Sequence, residues 1–221
     1  MSVWAILVAA GRGDRLGLDQ PKAFAKLGED PLLAEPLRRL DDCAWVDAIV
    51  LVAPPGWEEP AILLAEELGC GKVSACVPGG ETRADSVRAG LAEVPEDTLV
   101  VLVHNAARPL LPEEVVERVL APLSEGWDGV VPGLPVADTL KRVAADGGVS
   151  ETVTRDGLWA VQTPQAFVAD VLRAAAEAGG DATDCASLVE ARGGRVKVVP
   201  GDPRLLKVTT ADDLERIASW L

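Results

Sequence analysis

Short apolar runs that alternate with helix-period segments constrain this chain more than any other feature. Val3–Val8 and residues 47–52, 72–76, 99–103 and 129–131 read as strands. Between and after them lie amphipathic segments, which is the pattern of β-α units around a mainly parallel sheet. The expected fold is therefore α/β and Rossmann-like, with helices flanking the sheet.

Local signals place the helices. Ala84, Val87, Leu91 and Val94 mark one helix face, and Thr82 with Asp85 stands before it at capping-box spacing, just after Gly79 and Gly80. Pro112 suits the first turn of a second helix, whose buried face runs through Val115, Val116, Val119 and Leu123. Thr210 and Asp213 cap a last helix with Leu214, Ile217, Ala218 and Leu221 as its buried stripe.

The rhythm breaks once. From about residue 133 to 161 two short alternating segments, 136–142 and 149–155, flank Asp146-Gly147-Gly148, as expected of a β-hairpin arm. Such an arm is too small to bury a core of its own and packs on something else, a partner subunit being one candidate. No repeat or linker divides the chain, so residues 1–221 are expected to form one domain.

Composition narrows the partners. With 35 acidic against 21 basic side chains the net charge is −14, which repels polyanions and argues against nucleic acid. The apolar runs are too short to span a bilayer and no leader opens the chain, so a cytoplasmic location without membrane is expected. Cys43, Cys70, Cys76 and Cys185 form no C-x-x-C pair, and His104 is the only histidine, so no zinc site is indicated and the thiols are expected to be reduced and mostly buried.

The few cations are gathered. The first strand runs into Ala9-Ala10-Gly11-Arg12-Gly13-Asp14-Arg15-Leu16-Gly17, and Arg12, Arg15, Lys22 and Lys26 follow one another closely. Glycines let the backbone approach a ligand so that successive N–H groups meet phosphate oxygens. A plain strand-to-helix turn would use the same glycines, but the density of cations favours phosphate binding. The G-x-G-x-x-x-G spacing fits neither a P-loop nor the usual dinucleotide fingerprint.

This loop followed by Pro21-Lys22 resembles the signature of nucleotidyltransferases that activate sugar and polyol phosphates. Further segments resemble one family among them, the 2-C-methyl-D-erythritol 4-phosphate cytidylyltransferases: Gly79-Gly80-Glu81-Thr82-Arg83-Ala84-Asp85-Ser86-Val87, His104-Asn105-Ala106-Ala107-Arg108-Pro109, Asp138-Thr139-Leu140-Lys141-Arg142, Arg155-Asp156-Gly157-Leu158-Trp159, Thr163-Pro164-Gln165, Thr183-Asp184 and Leu206-Lys207-Val208-Thr209. They occur in the same order over nearly the whole chain.

The resemblance implies transfer of CMP from CTP to methylerythritol phosphate with release of pyrophosphate, in non-mevalonate isoprenoid synthesis, with Mg²⁺ as the cation. It implies Arg15, Lys22, Arg155 and Lys207 as catalytic groups, and Asn105, Arg108, Thr139 and Thr183 as substrate-binding groups. The nucleotide would be read by Ala9, Ala10, Gly11, Gly13, Gly80, Glu81 and Ser86. It further implies a homodimer, in which Thr139 and Arg155 ride on the arm into the neighbouring subunit's site; the metal ligands stay unassigned.

Two chemical points accompany it. The nucleophile is a phosphate monoester, largely dianionic at neutral pH, so no general base is required and His104 reads as a strand-end residue satisfied by hydrogen bonds. Asn105 stands where the family normally carries aspartate, which keeps the shape and loses the charge. Another nucleotidyltransferase specificity, or a nucleotide-binding module without catalysis, would share most of these features.

Overall fold

A computed structural model of the chain describes residues 2–11, 13, 17, 19–179 and 183–221. Its main sheet runs in the order β5 (Val73–Pro78), β4 (Ala48–Ala53), β1 (Val3–Val8), β6 (Val100–Asn105), β11 (Gln165–Val168), β7 (Gly129–Pro135) and β10 (Trp159–Val161), and β12 (Val196–Pro200) also pairs with β7. β1 pairs in parallel with both β4 and β6, β4 with β5, and β7 with β12, whereas β10 and β11 run antiparallel. The expected mainly parallel α/β sheet is present.

Strands of this kind are apolar on both faces because both faces are covered. Alternate residues of β1, β4 and β6 divide between two cores: Leu7, Leu51 and Leu102 pack with α1 (Ala34–Asp42), α2 (Glu58–Glu67) and α4 (Glu113–Leu120). Ile6, Val52 and Val103 pack on the other side with α3 (Arg83–Ala92), α5 (Ala169–Glu177) and α6 (Cys185–Glu190). α7 (Ala211–Ala218) belongs to a small third cluster with Leu27 of β2 (Lys26–Leu27), which pairs with β3 (Asp30–Pro31).

Both expected capping boxes form, Thr82 with Asp85 on α3 and Thr210 with Asp213 on α7. Three details differ. Pro112 caps α4 from outside, in extended conformation, instead of lying in its first turn, and Leu123 falls in a following 3-10 helix, Ala121–Glu125. In α7 only Ile217 is fully buried, while Ala218 and Leu221 are exposed, because the helix covers a narrow satellite cluster and not the sheet.

The arm is present and shorter than its expected span. β8 (Leu140–Val143) and β9 (Val149–Val153) form a separate antiparallel pair, while residues 133–135 and 159–161 pair within the main sheet. Gly147 at the tip takes φ +85°, the left-handed conformation that the tight return requires.

Candidate active site

The carboxyl ends of β1, β4, β5 and β6 open on one cleft of about 1000 Å³. The chain runs from β1 outward through β4 to β5, then β6 is laid down on the opposite side of β1. Loops diverge at such a reversal of strand order and leave a crevice, which is where open α/β sheets bind ligands.

Backbone contacts build the nucleotide side of the cleft. The Ala9 N–H donates to the Val52 carbonyl at 2.8 Å and the Gly79 N–H to the Ala53 carbonyl at 2.8 Å, which sets the loops after β1 and β5 side by side. A methyl group on Gly79 would collide with Ala10 and approach Ser86 Oγ to 2.9 Å, so only glycine lets the loops meet. Gly13, at φ +76°, passes directly against Lys22 in the same way.

α3 then points its amino end into the cleft. Thr82 accepts from the Asp85 N–H at 3.1 Å, and Asp85 accepts from the Thr82 N–H at 3.0 Å. The Ser86 hydroxyl accepts from the Gly80 N–H at 3.2 Å and donates to the Thr82 carbonyl at 3.0 Å. A serine oxygen has two lone pairs, so one stays uncommitted by these bonds.

Cations approach from the other wall. The Lys22 ammonium donates to the Val208 carbonyl, and the Val208 N–H donates to the Ala107 carbonyl at 2.8 Å. Asp213 accepts from the Thr209 N–H at 2.8 Å and from its hydroxyl at 2.6 Å, and these bonds, the hydroxyl first, hold its carboxyl down at about 2. The two residues that follow Lys207 are thereby tied to the turn after β6 and to α7.

Arg108 is half-buried beside that turn. Its guanidinium donates to the carbonyls of Leu205 and Val161 and, among the described residues, forms no ion pair; its Nε is buried without a partner. Burial pushes it down to about 10, so it remains cationic at neutral pH. Partial burial of a cation without an anion carries a cost, and an anionic ligand would offset it.

The structure therefore brings together Ala9, Ala10, Gly11, Gly13, Lys22, Gly80, Glu81, Ser86, Asn105 and Lys207 as cleft-lining residues. Arg12 and Arg15 lie outside the described residues. Lys26, counted above with the loop cations, is exposed on β2 and does not line the cleft. Arg108, Thr139, Arg155 and Thr183 also do not line it, the last three being exposed and two of them on the arm.

Sequence reasoning missed one wall, formed by Pro54, Pro55 and Trp57 after β4, where Trp57 meets Phe24 with ring centroids 4.6 Å apart. A signal was available, since an aromatic just beyond the carboxyl end of a central strand falls at the ligand crevice of such a sheet. It also missed Arg83, which lines the cleft and donates to Cys185 Sγ at 3.1 Å. All four cysteines are free; Cys43 and Cys185 are buried, whereas Cys70 and Cys76 are half-buried. Among the described residues no helix is long and apolar enough to cross a membrane, and no three His, Cys, Asp or Glu side chains form a metal cage.

Comparison with known proteins gives a single family. The model of the 2-C-methyl-D-erythritol 4-phosphate cytidylyltransferase family matches residues 3–221. A protein of that name from Saccharopolyspora erythraea is 50% identical over 218 residues, covering 97% of this chain and 96% of its own. Its namesake from Nocardia farcinica is 47% identical over 220 residues, covering 100% of this chain and 94% of its own. The crystal structure of the Thermus thermophilus enzyme of the same name superposes with a TM-score of 0.79 at 32% identity, covering 97% of this chain and 96% of that one.

Proposed function

Because the chain belongs to the 2-C-methyl-D-erythritol 4-phosphate cytidylyltransferase family, we infer that its cleft transfers CMP from CTP to methylerythritol phosphate, giving the cytidine diphosphate alcohol and pyrophosphate in non-mevalonate isoprenoid synthesis. The observation that carries this is the meeting of two glycine-dependent loops, a helix amino end and the Lys22 and Lys207 side chains in one cleft. Backbone groups of residues 9–13 and 80–81 suit the base and triphosphate, and the amino end of α3 suits polar ligand atoms.

The acceptor phosphate attacks the α-phosphorus, a P–O bond forms, and the bond to the β-phosphate breaks. Negative charge gathers on the oxygens in flight, so fixed cations stabilise the transition state more than the ground state. Lys22 and Arg15 serve the triphosphate, and Lys207 and Arg155 aim the acceptor. Arg108, half-buried and without an ion pair among the described residues, is suited to that acceptor's charge, with Thr139 and Thr183 on its polyol. Residues 3 to 200 contribute strands to the same main sheet, which supports treating the chain as one catalytic domain. Four free thiols support work in the reducing cytoplasm.

For Mg²⁺ the donor set is sparse: the Asn105 amide oxygen would be the oxygen offered at the carboxyl end of β6, and there is no acidic cage among the described residues. That set fits an ion that keeps several waters and takes its remaining oxygens from phosphates. When bound, the ion neutralises phosphate charge. Asn105→Asp is expected to lower the Mg²⁺ concentration for half-maximal rate about tenfold, about 1.4 kcal/mol, measured by metal titration at saturating CTP. A natural protein without activity, restored only by the aspartate, would overturn this.

The arm supports a homodimer. Along residues 137–161 only Leu140 and Val153, one cross-strand pair, are half-buried. In the hairpin itself Val149 is 61% exposed and Val143 56%, apolar surface that a partner would cover. The activity is tested by pyrophosphate release with each of the four nucleoside triphosphates against a panel of phosphorylated sugars and polyols. Selective turnover of CTP with methylerythritol phosphate is expected. CTP binding without pyrophosphate on any acceptor would instead favour a nucleotide-binding module, the reading that the missing carboxylate at Asn105 allows.

A further inference from the structure

His104 has no acid-base part in the reaction, yet it is fully buried at the end of β6 with both ring nitrogens engaged. Nε2 lies 3.0 Å from the Arg108 carbonyl and Nδ1 lies 3.0 Å from Thr163 Oγ1. These partners fix the tautomer. A carbonyl only accepts, so Nε2 carries the proton and donates to Arg108; Nδ1 is then a bare lone pair, to which the Thr163 hydroxyl donates.

The remaining bonds close a ring. Thr163 Oγ1 accepts from the Asn105 N–H at 3.1 Å, and the Asn105 carbonyl accepts from the Arg108 N–H at 2.9 Å. Every donor has an acceptor, and reversing the tautomer would set a bare Nε2 against the Arg108 carbonyl and break that bond, while the Thr163 contact would survive only with its direction reversed. The antiparallel register of β11 on β6, with Gln165 opposite Val103, is what carries Thr163 to Asn105. The ring is fully buried and its partners are a carbonyl and a hydroxyl, with no carboxylate among them to pair a charge, so it stays neutral.

We propose that His104, as the neutral Nε2–H tautomer, is a positioning residue that locks Thr163 to the turn from Asn105 to Arg108 and so fixes both substrate-binding residues at the ends of that turn. The inference rests on the reading of the cleft given above. The nucleotide loops hang on carbonyls of β4 instead, so the acceptor is the substrate that should feel the loss.

Since His104 is the only histidine, ring-nitrogen labelling gives an unambiguous spectrum of the wild-type protein. A protonated Nε2 and a bare Nδ1 are expected, with Nδ1 alone shifted by Thr163→Val. The opposite tautomer would overturn the assignment without any mutation of the histidine. In kinetics, His104→Leu should raise the KM for methylerythritol phosphate about thirtyfold, and His104→Gln, which restores a donor to Arg108, about fivefold. The KM for CTP should stay within about twofold in both. An active wild type whose variants keep the acceptor KM sinks the positioning role alone; an inactive wild type sinks the reading of the cleft.

Discussion

Alanine in place of Lys22 is expected to lower kcat about a thousandfold, about 4 kcal/mol of transition-state stabilisation, while CTP affinity falls less than about tenfold. Gly13 passes close against the base of the side chain, and the ammonium donates to the carbonyl of Val208. It therefore meets the phosphates already oriented, and orientation settled in advance is what makes a charge worth more as the transition state forms. Single-turnover pyrophosphate release separates this from binding. Lys22→Arg should fall between, since the charge survives but the compact donor does not. Loss of one bond to Val208 costs stability only about 1 kcal/mol, so a small melting shift should accompany the large kinetic one. A kcat within tenfold of wild type would remove Lys22 from the chemistry.

The features legible in the sequence are those whose cause is local. Val3–Val8 is recognisable end to end because burial on both faces demands an unbroken apolar run. The Thr82 and Thr210 caps are recognisable because partners three residues apart complete them. β7 continues to Pro135, beyond its apolar start, because β10 and β12 pair along it, and no pattern within 129–135 announces that. β11 has four residues and opens on glutamine; its strand character comes from β6 and β7 beside it. The site divides the same way. Glycine loops declare themselves, whereas the ring joining His104 to Thr163 spans 59 residues of chain and depends on strand register, and the placement of the Arg108 guanidinium depends on carbonyls from two distant segments.

Mixing two inactive proteins is expected to restore activity. Arg155 and Thr139 sit on an arm that lies outside the main sheet and keeps most of its side chains exposed, and neither lines the cleft of its own chain. If the arm completes the neighbour's cleft, Arg155→Ala alone should reduce turnover about a hundredfold or more, because the acceptor phosphate loses a bidentate partner at the reacting distance. Now pair a Lys22→Ala chain with an Arg155→Ala chain. One cleft receives both defects, and the other receives Lys22 from its own chain and Arg155 from the partner, so it is intact. Random assortment of equal amounts makes about half of the dimers mixed, with one good cleft of two, and about a quarter of wild-type activity should return. If Arg155 serves its own chain's cleft, each cleft of the mixed dimer retains one defect and nothing is regained. The assay on mixed dimers purified by two different tags thus separates the arrangements by about two orders of magnitude, and mixed dimers no better than their parents would place Arg155 in its own subunit's site.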